Sequence, residues 1–194
     1  METERNLIRN GSRILVPSQH YSLRMYLNSD YKKIVDGLLN TGARVTEFWF
    51  IVRNPDYYKP SRRLYDLPKI GACKKPKCKT TDRTILLSSR GAKVLDGIYA
   101  DEIEYRDPTC IQKALKRAAL KAGFENLDGI NSKMYRKMAV SWLLAGRKHL
   151  GIDSFDITAS MGHSSEVMLK DYAGMKFSDS EVLDMVTFFS GWGK

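Results

Sequence analysis

The chain reads as α+β, mainly α-helical, with a small antiparallel sheet packed on a helical core. Three observations point there. Apolar residues recur with helical period along most of the sequence. Two short runs, Arg63 to Leu67 and Arg83 to Leu87, read as strands, and a basic loop joins them. The chain has 194 residues, enough for one well-buried core with at most a small appendage.

Residues 1–30 form an irregular lead-in followed by a short helix, with Ser18 or Ser29 available as a cap. From Tyr31, the apolar Ile34, Val35, Leu38 and Leu39 fall at i, i+1, i+4 and i+5, an amphipathic stripe that Asn40 to Gly42 end. Ala43 to Phe48 begin a further helical turn, and EFWFIVRN passes into a strand. Arg44 then sits on a junction whose backbone amides are free. Pro55, Pro60, Pro68 and Pro76 punctuate the loop-rich basic segment from Asn54 to Lys79, and KKPKCKTTD links the two strands.

Ser89 caps a helix through Tyr99, and Pro108 opens another that Gly123 ends. In that second helix Ile111, Leu115, Ala118 and Ala119 face a core, while Lys113, Lys116, Arg117 and Lys121 face out. A long helix starts at about Ser132, with Met134, Met138, Trp142 and Ala145 roughly on one face. Lys133 and Arg136 share a face in its first turns, where the positive helix end disfavours cations unless an anion compensates. Gly151 to Ala159 form a short helix. Ser178 to Phe189 form a capped terminal helix whose stripe of Val182, Leu183, Met185, Val186 and Phe189 either joins the chain's own core or docks on a neighbouring protomer.

Charge narrows the partner. Against 22 Asp and Glu stand 32 Lys and Arg, a formal +10, which favours a polyanion because each neutralised phosphate releases condensed counterions. No apolar run approaches the ~18 residues of a spanning helix, and METERNLIRN alternates in charge, unlike a signal peptide. A cytoplasmic protein with no membrane partner is expected. The three cysteines form no disulfide framework. Cys73 and Cys78 bracket KKPK without a second ligand pair, so neither metal nor cofactor is expected.

A set of chemistry-bearing positions stands out in order: Arg44 after TGA, Lys79 in the strand-linking hairpin, Lys133 and Arg136 in Lys-x-x-Arg, His163 in GHSS, and Tyr172 nine residues later. At these residues the chain resembles the catalytic domain of the tyrosine recombinases, or phage-type integrases. TGARVTE resembles the family's first-arginine box, KTTDRTILLS its strand-lysine hairpin, and MGHSSEVMLKDYAG its histidine and nucleophile box; the likeness covers about Tyr31 to Gly174. One departure has a direction. Lys133-Met-Tyr-Arg136, followed by Lys137, replaces the usual His-x-x-Arg and histidine, and is similar to the archaeal fuselloviral and plasmid branch. Lysine at 133 would be a poor base unless its pKa were depressed, although it can still donate to an oxygen.

The resemblance implies a site-specific recombinase that breaks and rejoins DNA through a 3′-phosphotyrosyl intermediate, to integrate or excise a viral or plasmid element. Its chemistry asks for a nucleophile, cations that hold a phosphorus gaining negative charge, and an acid for the departing 5′ oxygen. Tyr172 would attack, and Arg44 and Arg136 would clamp non-bridging oxygens through bidentate donors. Lys79 would be the acid, with Lys75 or Lys77 as alternatives from the same hairpin. His163 would hydrogen-bond a non-bridging oxygen, and Lys133 would take the site usually held by histidine. Lys75, Lys77 and Lys137 are further candidates for contact with DNA, and Glu47 resembles a buried carboxylate that orients the site. A type IB topoisomerase-like enzyme and a catalytically inactive DNA-binding module are the alternatives.

As partners, the resemblance implies double-stranded DNA at an attachment site and a homotetramer on that DNA, with a monomeric or weakly associated free state. Residues 1–194 would form a single catalytic domain, with 1–30 as lead-in, 178–194 as C-terminal helix and tail, and no N-terminal core-binding domain.

Overall fold

The computed structural model describes residues 7–70, 82–162 and 175–193. Lys75, Lys77, Lys79, His163 and Tyr172, together with Cys73 and Cys78, lie outside the described residues.

The N-terminal stretch is more ordered than its sequence suggests. Strands β1 (Ile8–Arg9) and β2 (Ser12–Arg13) form a tight antiparallel hairpin around Gly11, and the Arg13 amide donates to the Gly129 carbonyl at 2.9 Å. Helix α1 (Pro17–Met25) follows, with proline at its start, where a missing amide hydrogen is harmless. Helix α2 (Ser29–Thr41) is capped by Asn28, whose Oδ1 accepts from the Tyr31 amide at 3.0 Å, rather than by either serine. Its stripe of Ile34, Val35, Leu38 and Leu39 is wholly buried, and Gly42 ends it in the left-handed conformation at φ 58°.

Helix α3 (Val45–Arg53) replaces the strand expected from EFWFIVRN. Aromatic and β-branched residues favour strands only weakly. Here they serve a helix that buries Glu47, Phe48 and Ile51 at i, i+1 and i+4 while Thr46 and Arg53 face solvent. The amide of Arg44 is not free either; it donates to Glu47 Oε2 at 2.7 Å, the return half of a capping box.

Two short 3₁₀ turns, Pro55–Tyr57 and Pro60–Arg62, flank β3 (Tyr58–Lys59). With β4 (Leu64–Leu67) and β5 (Arg83–Leu86) it forms a three-stranded antiparallel sheet in the order β3-β4-β5. Leu67 pairs with Arg83, so the basic loop leaves and rejoins the sheet at that rung.

Helix α4 (Ser89–Ala100) starts one residue after its cap, which is Ser88 and not Ser89: Ser88 Oγ accepts from the Gly91 amide at 3.0 Å. Helix α5 (Pro108–Lys121) begins at Pro108 under an Asp107 cap, buries the four stripe residues and exposes its four cations. Helix α6 (Met134–Leu150) is the central element. Met134, Met138 and Trp142 are fully buried in it, and α2, α7 (Ser154–Met161) and α8 (Asp179–Phe188) pack around it.

The terminal helix α8 packs on the chain's own core. Met185, Phe188 and Phe189, with Trp192 just beyond, are buried, and α8 comes so close to α6 that a Cβ on Gly146 would meet Val186 Cγ2 at 2.9 Å. Leu183 of the expected stripe points to solvent instead. Among the described residues no helix is long and apolar enough to cross a membrane.

Candidate active site

The site is organised around Glu47. Its carboxylate is wholly buried, and an ionised group there persists only if cations and hydrogen bonds replace the lost water. Three arginines from three elements supply them. Arg44, at the junction of α2 and α3, donates Nη1 to Glu47 Oε1 at 2.6 Å in addition to its backbone amide. Arg83, the first residue of β5, grips both oxygens, Nη1 on Oε1 at 3.1 Å and Nη2 on Oε2 at 2.8 Å. Arg136, in the first turn of α6, brings Nη1 to 3.7 Å from Oε2.

The electrostatics follow from that arrangement. Burial by itself would raise the Glu47 pKa. The hydrogen bonds and charge of Arg83, then the charge of Arg136 and the Arg44 amide, outweigh it and hold the pKa at about 2. Three guanidinium groups against one carboxylate leave a formal local excess of two positive charges. A folded protein tolerates such an excess more readily where an anion is to be bound.

The two predicted arginines therefore lie side by side, but they are presented differently. The Arg44 side chain is 41% exposed, so it reaches solvent while still touching Glu47. Arg136 is buried; its Nη1 donates to the Gly42 carbonyl at 2.8 Å and its Nη2 to the Met161 carbonyl. It thus ties the start of α6 to the ends of α2 and α7. Gly42 suits that role because it ends α2 with φ 58°, and a Cβ there would run into the Met161 thioether.

Lys133 stands exposed at the residue that precedes α6, with helical backbone angles and no side-chain cap. Lys137, one position past Arg136, turns away towards the N-terminal hairpin and donates Nζ to the Arg9 and Asn10 carbonyls at 2.6 and 2.9 Å. The structure thus gives Lys137 backbone partners in the β1–β2 turn.

Arg83 is the residue that sequence reasoning passed over. Besides Glu47, its Nε donates to the Ser160 carbonyl at 2.9 Å, and Ser160 Oγ accepts from the Leu86 amide at 3.0 Å, so β5 is fastened to α7. A Cβ on Gly162, which closes α7 with φ 61°, would lie 3.0 Å from Arg83 Cδ. His163 follows Gly162 directly in sequence. The only signal for Arg83 was its place at the head of TILL; its partners are 36 and 77 residues away.

No family model and no curated protein matches the chain. Solved structures do. XerA recombinase superposes with a TM-score of 0.60 at 19% identity, over 95% of this chain and 66% of that one. The Tn1549 transposon integrase in complex with a circular intermediate DNA gives 0.61 at 13% identity, over 94% and 67%. The same integrase with transposon right end DNA gives 0.61 at 14%, again over 94% and 67%. The chain spans about two thirds of the length of the solved proteins it matches. At these identities the likeness is one of fold: an α+β chain, mainly helical, with the catalytic-domain fold of the tyrosine recombinases.

Proposed function

We propose that this chain is the strand-cleaving and rejoining domain of a site-specific DNA recombinase or integrase. The observation that carries the reading is the meeting of Arg44 and Arg136 on one buried carboxylate, within the fold of recombinases whose solved complexes contain DNA. Tyr172 attacks the scissile phosphorus as the bond to the 5′ oxygen breaks, leaving a 3′-phosphotyrosyl link that retains the bond energy for rejoining. Arg44 and Arg136 hold the non-bridging oxygens, Lys79 gives a proton to the departing oxygen, His163 hydrogen-bonds the phosphate and Lys133 donates beside it.

On the same reading the substrate is an attachment site, engaged by a homotetramer on DNA in the cytoplasm of a host cell, and the element moved is viral or plasmid. Lys133 in place of histidine favours the fuselloviral kind of integrase. Residues 1–194 act as one catalytic domain.

A nicked suicide duplex that cannot be rejoined tests the proposal. Wild-type protein is expected to form a covalent adduct that survives denaturation, and Tyr172→Phe to form none. Among Lys79→Ala, Lys77→Ala and Lys75→Ala, only the variant lacking the acid is rescued by a 5′-thio leaving group, which departs without a proton; Lys79→Ala is the one expected. An adduct that persists in Tyr172→Phe would remove the nucleophile assignment.

A further inference from the structure

Arg83 belongs to the arginine cluster yet is the least suited of the three to touch a nucleic acid. Its side chain is only 4% exposed, and its fork is occupied by two carboxylate oxygens and one carbonyl. What it holds is more informative than what it could bind. Gripping both oxygens fixes the plane of the Glu47 carboxylate, so Oε1 meets Arg44 Nη1 while Oε2 meets the Arg44 amide and approaches Arg136 Nη1. The third contact, Nε to the Ser160 carbonyl, sets the end of α7 and the Gly162 turn against the same group.

We propose that Arg83 is a positioning residue for DNA cleavage, acting through Glu47 on Arg44 and Arg136 and through Ser160 on the Gly162 turn. The proposal rests on the reading of the chain as a strand-cleaving domain. A displacement of about 1 Å in a clamping group can lower a rate about 100-fold, and a carboxylate free to rotate would permit such a displacement at both arginines. Lysine cannot replace the arginine, because one ammonium cannot span two oxygens and a carbonyl in fixed geometry.

The test uses single-turnover adduct formation on the suicide duplex, with DNA affinity and thermal unfolding measured on the same proteins. Arg83→Met is expected to cleave about 100-fold more slowly at saturating duplex while its affinity stays within about twofold, and Arg83→Lys is expected not to restore the rate. Among the described residues Glu47 would then be faced by Arg44 from the α2–α3 junction and Arg136 from α6, so its proton would return at higher pH. Cleavage by Arg83→Met is therefore expected to show an acid limb, rising with pH, that lies at higher pH than any Glu47 limb in wild type and is absent from Arg83→Met combined with Glu47→Gln. That double variant also removes the stranded carboxylate, so it remains informative if Arg83→Met unfolds.

Several outcomes would overturn the inference. Arg83→Met, or the double variant if the single one unfolds, could cleave at the wild-type rate. Affinity could fall tenfold with saturated cleavage unchanged, the mark of a direct phosphate contact. Arg83→Lys and the double variant could both fail to fold, the mark of a purely structural residue. Wild-type adduct with any of these removes the role of Arg83 alone; no wild-type adduct on any duplex removes the functional reading as well.

Discussion

A buried carboxylate held by three arginines is a small set of contacts with a large electrostatic consequence. Removing one partner of a buried ion pair costs about 3–5 kcal/mol, chiefly because the other is left charged without water. Glu47→Gln would leave the buried Arg83 and Arg136 without their carboxylate, while the half-exposed Arg44 would turn to water, so a loss of about 3 kcal/mol is expected in urea titration at neutral pH. The pH dependence has a definite sign. The Glu47 pKa is about 2 in the folded chain against an ordinary 4.5, so the stabilisation is complete above about 4.5 and is lost as pH falls towards 2. The shift corresponds to about 3 kcal/mol. Urea titrations between pH 5 and 2 should therefore show wild-type stability converging on that of Glu47→Gln; parallel curves would mean that Glu47 is not the titrating group. The Glu47 position was legible from its spacing to Arg44, since a glutamate three residues on is a local signal. Arg83 was not, because nothing local distinguishes an arginine that closes a contact 36 residues back from one that heads an exposed strand.

Elements were legible where one physical pattern dominated. The stripes of α2 and α5 needed only period and a stop signal, and both helices lie where those place them. Segment α3 defeated the pattern: its composition favours a strand, but Glu47 caps the helix start and the arginine cluster fixes Glu47, so tertiary contacts override composition. The terminal helix was ambiguous for a different reason, since an apolar stripe does not say whose core it joins. In the structure Phe188 lies edge-on to Trp142 at 5.3 Å, with the Arg90 guanidinium 4.3 Å from its ring centroid. His20 is enclosed in the same seam beside Tyr135 and Trp142; burial, then the charges of Arg24 and Arg90, lower its pKa to about 3, so it packs there as a neutral ring. Phe188→Ala is expected to cost about 3–5 kcal/mol. Because the seam is intramolecular, the unfolding midpoint should not change with protein concentration in wild type or variant. A midpoint that rises with concentration would mean that α8 is supplied by a second chain.

At the scale of the whole molecule, the formal charge of +10 is the one property legible from composition alone, yet composition does not say which cations would meet the proposed DNA. The structure separates them by what already opposes them. The Lys33 ammonium lies 2.9 Å from Asp101 and that of Lys59 is paired with Asp66, so each already has a carboxylate opposing its charge. Lys133 stands exposed at the start of α6, where the first turn carries no acidic residue and the helix dipole adds to the cationic field. An anion placed there would relieve both. If binding is counterion release, the logarithm of duplex affinity falls linearly with the logarithm of salt, and each phosphate contact contributes a slope of about −0.9. Lys133→Ala should therefore make the slope shallower by about 0.9, with the loss uniform across sequences because a phosphate contact carries no base information. Lys33→Ala should leave the slope within error of wild type. Fluorescence anisotropy of a labelled duplex between 50 and 200 mM salt, the range over which such contacts are resolved, measures both; equal slopes for wild type and Lys133→Ala would place the DNA on another face of the molecule.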